Sequence, residues 1–453
     1  MQTLPWARFL QAGRAVRRGC LMAAITLYVA LYNWLYVTWL APHFSYSGIT
    51  YNEPSAGILG LAWLLALLPS LWMPVELVRV SQVPFWLIYL MVYIPSMFGP
   101  MYMALLPSQE IAALMLYFLG GLLALSMVYL VPPVRLRFHL IPRTFFWKLL
   151  GLGTAALDLW VIAVFHSHIH LVGFNDVYTL RSASDELAQG TGVGYAMMLL
   201  SSVINPLYMA KGLVTRRKAL IVFGFLNQLL LYSAGGSKAV ILSVVIITGL
   251  YMLIGRTGRR FGLRLAWAVA AILVVLCVIS SIKNVNPILS FALSLLFMRT
   301  FAVGGYNTGV YSEFFHSHPL TYLSTVHGID LIVHYPYSSA LGLQIGYYEM
   351  RITGLDMNAH FWATDGIAAF GPPGIIFISI LCALVLWILD SAAKRHNVMF
   401  ASLTVAFVTL NLTNSSLFTT VISGGLGLLI ILLLTMPDEK STPPVTESVP
   451  TKL

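Results

Sequence analysis

Long apolar runs alternate with short charged clusters along almost the whole chain. Crossing a membrane takes about 20 apolar helical residues. Runs of that kind fall at about 19–41, 56–78, 84–106, 110–132, 148–167, 193–214, 219–235, 239–255, 264–282, 367–390, 399–416 and 418–436. They predict an all-α polytopic membrane protein with about 12 transmembrane helices, residues 1–436 forming one transmembrane domain. The seventh and eighth runs are short and divided only by Gly235-Gly236-Ser237-Lys238, which predicts a tight hairpin. The first run follows Arg8, Arg14, Arg17 and Arg18. It is too long for a signal-peptide core and ends in Ala-Pro-His, so it reads as a retained helix. Two stretches read as loops, about 168–192 and 285–366, and the Pro/Thr/Ser-rich tail 437–453 reads as disordered.

Charge then orients the pattern. With the N-terminus in the cytoplasm and the runs alternating, 21 of the 26 Lys and Arg fall in cytoplasmic segments. Only Arg181, Lys238, Lys283, Arg299 and Arg351 lie outside. That bias is the positive-inside signature, and it predicts a bacterial inner membrane protein with both termini cytoplasmic. The acids Asp176, Asp185, Glu186, Glu313, Asp330, Glu349, Asp356 and Asp365 all fall in the two outer loops. Composition agrees: 58% of residues are hydrophobic and 9% charged, against roughly 25% charged in soluble domains. The net charge of +10 faces anionic headgroups in this arrangement, leaving no role for nucleic acid. Cys20, Cys277 and Cys382 all sit in apolar runs and make no disulfide framework or metal spacing.

Translocated cations are disfavoured, so those retained outside are candidates for chemistry. Arg181, Lys238, Arg299 and Arg351 would suit a pyrophosphate at the membrane surface; the alternative is local ion pairing, such as Arg181 with Asp185. Lys238 follows Gly235-Gly236-Ser237 at the start of a helix, where backbone can approach an anion closely. His327 and His334 are base candidates. His166, His168 and His170 have no carboxylate or cysteine nearby to complete a metal set. Tyr335, Tyr347 and Trp362 are among many rings in the second loop, which suit either a sugar surface or an interfacial belt. Asp158 lies within the fifth run, where a carboxylate either lines a polar cavity, relays protons or is held neutral by hydrogen bonds.

Three local patterns then resemble the O-antigen and polysaccharide repeat-unit polymerases, the Wzy family of membrane glycosyltransferases. Arg181 is followed by Gly192 in an Arg-x10-Gly pattern, GGSK at 235–238 is similar to the family's GGSR, and NAHFWATDGIAAFGPPG at 358–374 resembles its Asn…Asp-Gly…Phe-Gly…Gly segment. The match departs at Arg299, where Val310 replaces the expected glycine, and at Lys238, which stands for arginine. The resemblance implies a fold like the GT-C membrane glycosyltransferases, two functional periplasmic loops, and metal-independent catalysis without a cofactor. It implies transfer of a growing glycan from undecaprenyl-pyrophosphate onto a new lipid-linked repeat unit, with membrane lipids and a chain-length regulator as partners. Arg181, Lys238, Arg299 and Arg351 would then hold pyrophosphate. His327, His334 or Asp365 would act as base, and Asn358, Tyr335, Tyr347 and Trp362 would contact sugar. Rival readings are an O-antigen ligase-type transferase and a flippase or exporter of lipid-linked oligosaccharide.

Overall fold

A computed structural model describes residues 5–136, 142–167, 169, 184, 186–188, 190–282 and 286–437. Arg181 and Lys283, the residues from 438 onward and most of the 168–192 stretch lie outside the described residues. Those described form helices and connections, with no strand among them. We name the helices α1 (Ala15–Ser47), α2 (Ala56–Leu71), α3 (Gln82–Met103), α4 (Ser108–Tyr129), α5 (Thr144–Phe165), α6 (Val193–Thr215), α7 (Lys218–Gly235), α8 (Lys238–Ile254) and α9 (Phe261–Ser280). They continue as α10 (Pro287–Ser317), α11 (Leu341–Met350), α12 (residues 362–370), α13 (Gly374–Ala393), α14 (Val398–Thr413) and α15 (Leu417–Thr435). Among the described residues, ten helices are long and apolar enough to cross a membrane, and α2, α8 and α14 are shorter apolar helices. The chain is an all-α, multi-pass membrane protein. Each apolar run read from the sequence folds as a helix, and α10 is the additional long one.

Two compact units divide the chain. Unit 1 comprises Met1–Val131, Gly249–Trp387 and Val408–Gly424, and unit 2 comprises Pro132–Thr248, Ile388–Phe407 and Gly425–Leu453.

In unit 1, α1 and α3 run side by side in the same direction. Tyr28 donates to Leu90 O at 2.6 Å, the Tyr32 and Phe98 rings lie 6.0 Å apart, and Tyr102 donates to Asn33. One end of this unit is basic. Arg17 pairs with Glu76 at 3.3 Å. Arg18 donates to the Ser70 and Met73 carbonyls at 2.9 and 2.7 Å, and Arg79 to those of Val128 and Val131 at 2.9 and 3.0 Å. These are carbonyls that a helix C-terminus leaves unpaired, where a cation is favoured. Helix α9 starts at the same end, with Gly262 N donating to Val75 O at 2.9 Å.

Helix α10 overturns the reading of 285–366 as a loop. From the far end of α9 it descends beside α1: Phe297 meets Tyr32 and Trp39, and Phe301 meets Tyr28 one turn deeper. Wide turns over Ser294–Ala302 bend the helix. It then climbs along α3, with Ser96 and Thr308 2.8 Å apart, and reaches His316, which pairs with Glu110 at 3.1 Å. Both ends of α10 therefore lie at the end opposite the arginines, and the segment is re-entrant. Its climbing arm is seated by glycines: Gly305 lies against Pro95 and Gly99, and a Cβ on Gly304 would stand 2.6 Å from Met91 O. Small residues at such crossings let helix backbones approach closely.

Residues 357–373 make a second excursion. The chain descends past Tyr311, whose hydroxyl donates to Met357 O at 3.0 Å, to His360. It climbs back as α12, where Thr321 N donates to Ala368 O at 2.8 Å, and turns through Gly371-Pro372-Pro373 into α13.

In unit 2, α5, α6, α7 and the start of α8 enclose a core around Val161, Phe165, Leu200, Leu231 and Val240. Arg395 and His396 accept the role played by the arginines of unit 1, binding carbonyls at the C-terminus of α15, including Leu433 O at 2.7 Å from His396 Nε2.

Candidate functional site

The two excursions of unit 1 meet at their tips. His360 Nδ1 accepts from Ala363 N–H at 3.2 Å, so the proton sits on Nε2, which faces Gly304 O at 3.2 Å and Thr308 Oγ1 at 2.9 Å. The ring is wholly buried between Phe118 and Trp362. A neutral histidine with both nitrogens engaged ties the excursions together.

Above that joint, at the end away from the arginines, lies a cluster of half-buried groups. Glu313 comes from α10 and Glu349 from α11. Tyr348 donates to Glu313 Oε1 at 3.1 Å. Tyr306 donates to Ser47 O at 2.6 Å and lies 3.4 Å from Glu349 Oε1. Gly48 adopts φ +80° and lies against the Glu349 carboxylate, where a side chain would collide with it. Burial first, then the nearby Glu313, raise the Glu349 carboxyl above its ordinary value, with the Tyr306 hydroxyl opposing. Burial also raises the Tyr348 hydroxyl, with Glu313 adding to the effect and Arg351 opposing it. The arrangement gives a proton-accepting carboxylate in an apolar, hydroxyl-rich setting, with ring faces nearby: Tyr347 is 49% exposed.

Sequence-derived candidates distribute around this cluster unevenly. Arg351 lies over the Tyr348 ring at 5.8 Å. Asn358 is exposed and donates to Asp356 at 2.6 Å, while its carbonyl accepts from Asn307 at 3.0 Å. Tyr335 donates to Ser339 O at 3.0 Å and packs on Tyr337, and burial pushes both hydroxyls up to about 12. Arg299 is exposed on the descending arm of α10. His327 is fully exposed and pairs with Asp330 at 3.5 Å; His334 is exposed. Neither histidine sits in a formed site.

Two candidates change character. Trp362 is wholly buried and donates through Nε1 to Ser379 Oγ at 2.7 Å, so it presents no ring face to a sugar. Asp365 is also wholly buried: Oδ1 accepts from Ser416 Oγ at 2.7 Å and Oδ2 from Leu417 N at 2.6 Å. Both oxygens are occupied holding the start of α15, a positioning role rather than that of a base. Glu313 and Glu349, conversely, entered the sequence reading only as two acids among several in the long loop; their half-burial, the signal that distinguishes them, arises only on folding.

In unit 2, Lys238 opens α8 two residues after Gly236, which has φ +61°. Ser184 donates to Ala234 O at 2.6 Å, two residues before Gly236. Comparison with protein-family models, with curated proteins and with solved structures returned no match.

Proposed function

We propose that this chain is an inner-membrane glycan polymerase, both termini cytoplasmic, that works at the periplasmic face on undecaprenyl-pyrophosphate-linked oligosaccharides. The observation that carries the reading is the half-buried Glu349–Tyr306–Glu313–Tyr348 cluster at the end opposite the arginines. In the GT-C-like arrangement of about twelve spans that the resemblance implies, that end faces the periplasm. Glu349 takes the proton of the acceptor sugar hydroxyl, the oxygen attacks the anomeric carbon of the growing chain, and the bond to pyrophosphate breaks. A carboxylate with a raised proton affinity is matched to that task. Tyr347 and Asn358 supply a ring face and an amide for the sugar. The leaving pyrophosphate needs cations, a role that the resemblance implies for Arg181, Lys238 and Arg299.

A second reading, transport of lipid-linked oligosaccharide, is favoured by one feature. Discontinuous helices meeting at polar tips within a bundle also line transporter sites.

The test is deletion of the gene in its host and complementation with wild type or Glu349→Gln, followed by gel analysis of the envelope glycan. Polymerase predicts loss of long polymer with single repeats still transferred or left on the carrier. Glu349→Gln should then insert normally and fail to restore length. Accumulation of repeat units on the cytoplasmic face would establish transport, and long polymer stranded on the carrier would establish a ligase.

A further inference from the structure

Unit 2 carries a layer of polar side chains where its helices are otherwise apolar: Asp158 on α5, Asn205 and Tyr208 on α6, and Asn227 and Gln228 on α7. Gln228 is satisfied. It donates to Ser201 O and Ser243 Oγ, both at 2.8 Å, and accepts from Asn205 Nδ2 at 3.4 Å. Tyr208 lies 3.4 Å from Thr154 Oγ1, and both the Tyr208 hydroxyl and the Asn227 amide face the Asp158 carboxylate.

The rest of the layer is not satisfied. Asp158 Oδ1 and Asn205 Oδ1 are buried acceptor oxygens without a close hydrogen-bond partner among the described residues, while the Asn227 amide is directed at the Asp158 carboxylate. Asn205 is 0% exposed and Asn227 is 9% exposed. Orphaned polar atoms inside a protein are rare and point to an unfilled role. Tyr208 is the titratable group facing Asp158 from α6, and α7 and α8 contribute only neutral amides and Ser243. Lys211, the cation on α6, lies over the Trp147 ring at 5.1 Å, three turns of α5 from Asp158.

We propose that Asp158, Asn227, Asn205 and Tyr208 form an intramembrane site for a monovalent cation, either a proton or a sodium ion. A carboxylate in an apolar bundle needs a neutralising charge, and orphaned acceptor oxygens with a hydroxyl and amides supply the hard oxygen donors such a cation takes. Nothing in glycan transfer uses this layer, so the site is independent of the proposed polymerase chemistry. It would make the protein respond to sodium or proton activity from within the membrane.

Helix α5 is open on its outer side, with Leu159 66% exposed, so a lipid-soluble carbodiimide can reach Asp158. The experiment treats the full chain in detergent with dicyclohexylcarbodiimide, which modifies protonated carboxyls in apolar surroundings, and maps the adduct by mass spectrometry. Labelling at Asp158 that sodium chloride suppresses several-fold relative to choline chloride identifies sodium. Labelling that falls several-fold as pH rises, with sodium without effect, identifies a proton. Absence of labelling under every condition, or labelling indifferent to both sodium and pH, overturns the site and leaves Asp158 a permanently hydrogen-bonded structural group. Asp158→Asn retains the amide contact; its melting temperature should lose whatever sodium or pH dependence wild type shows, and an unchanged dependence would also overturn the proposal.

Discussion

Glu349 concentrates the residue-scale chemistry. Burial and Glu313 raise its carboxyl, so between its ordinary value near 4.5 and its raised value the folded chain holds a proton that the unfolded chain has released. Stability contributed by this group is therefore lost as pH rises through that window. The melting temperature of Glu349→Gln should fall less over the same pH range than that of wild type, and parallel profiles would dissociate the effect from this residue. In polymerisation, the same variant should lose about 10²–10⁴-fold in rate, the usual contribution of a positioned base. Gly48→Ala, which displaces the carboxylate without removing it, should lower the rate while leaving glycan affinity nearly unchanged. Little of this was legible beforehand: Glu349 and Glu313 look like any loop acids, and His327 and His334 looked better as bases. Chemical type is visible in sequence; half-burial, which tunes it, is not.

At the scale of elements, α10 and the α12 excursion decide the architecture of unit 1. The run FALSLLFMRTF lies inside the stretch 285–366 that reads from the sequence as a loop. What seats it is Gly304, Gly305 and Gly309 against α3. Gly305→Ala places a Cβ against the Pro95 carbonyl and should destabilise by about 1–3 kcal/mol, the cost of overpacking a close-fitted interior, read as a lowered melting temperature. Wild-type stability would show that the two backbones are further apart. Asp365→Asn keeps the volume but loses the charge-assisted bonds to Ser416 and Leu417. It should cost about 1–3 kcal/mol, since partners in a buried site are left unsatisfied. The motif at 358–374 was legible as a unit, although its histidine, tryptophan and aspartate prove to hold the excursion together from within.

For the whole molecule, the clearest expectation concerns sidedness. In a background lacking the native cysteines, Asn286→Cys and His318→Cys flank α10 and should react with an impermeant maleimide from the same side. Val16→Cys, near the arginine cluster, should react from the other. Reaction of 286 and 318 from opposite sides would make α10 a span and reverse the direction of everything after it.

Membrane residence, helical class and the basic end of unit 1 were written in the sequence, because hydropathy and charge density are properties of short stretches and persist in any packing. Only the tertiary structure decided which long apolar helix turns back, which carboxylates gather and which aromatic rings are spent inside. Those outcomes depend on contacts between distant segments, such as His360 with Gly304 and Asp365 with Ser416. No local pattern encodes them, because each requires two backbones to approach closely enough for a particular pair of atoms to bond.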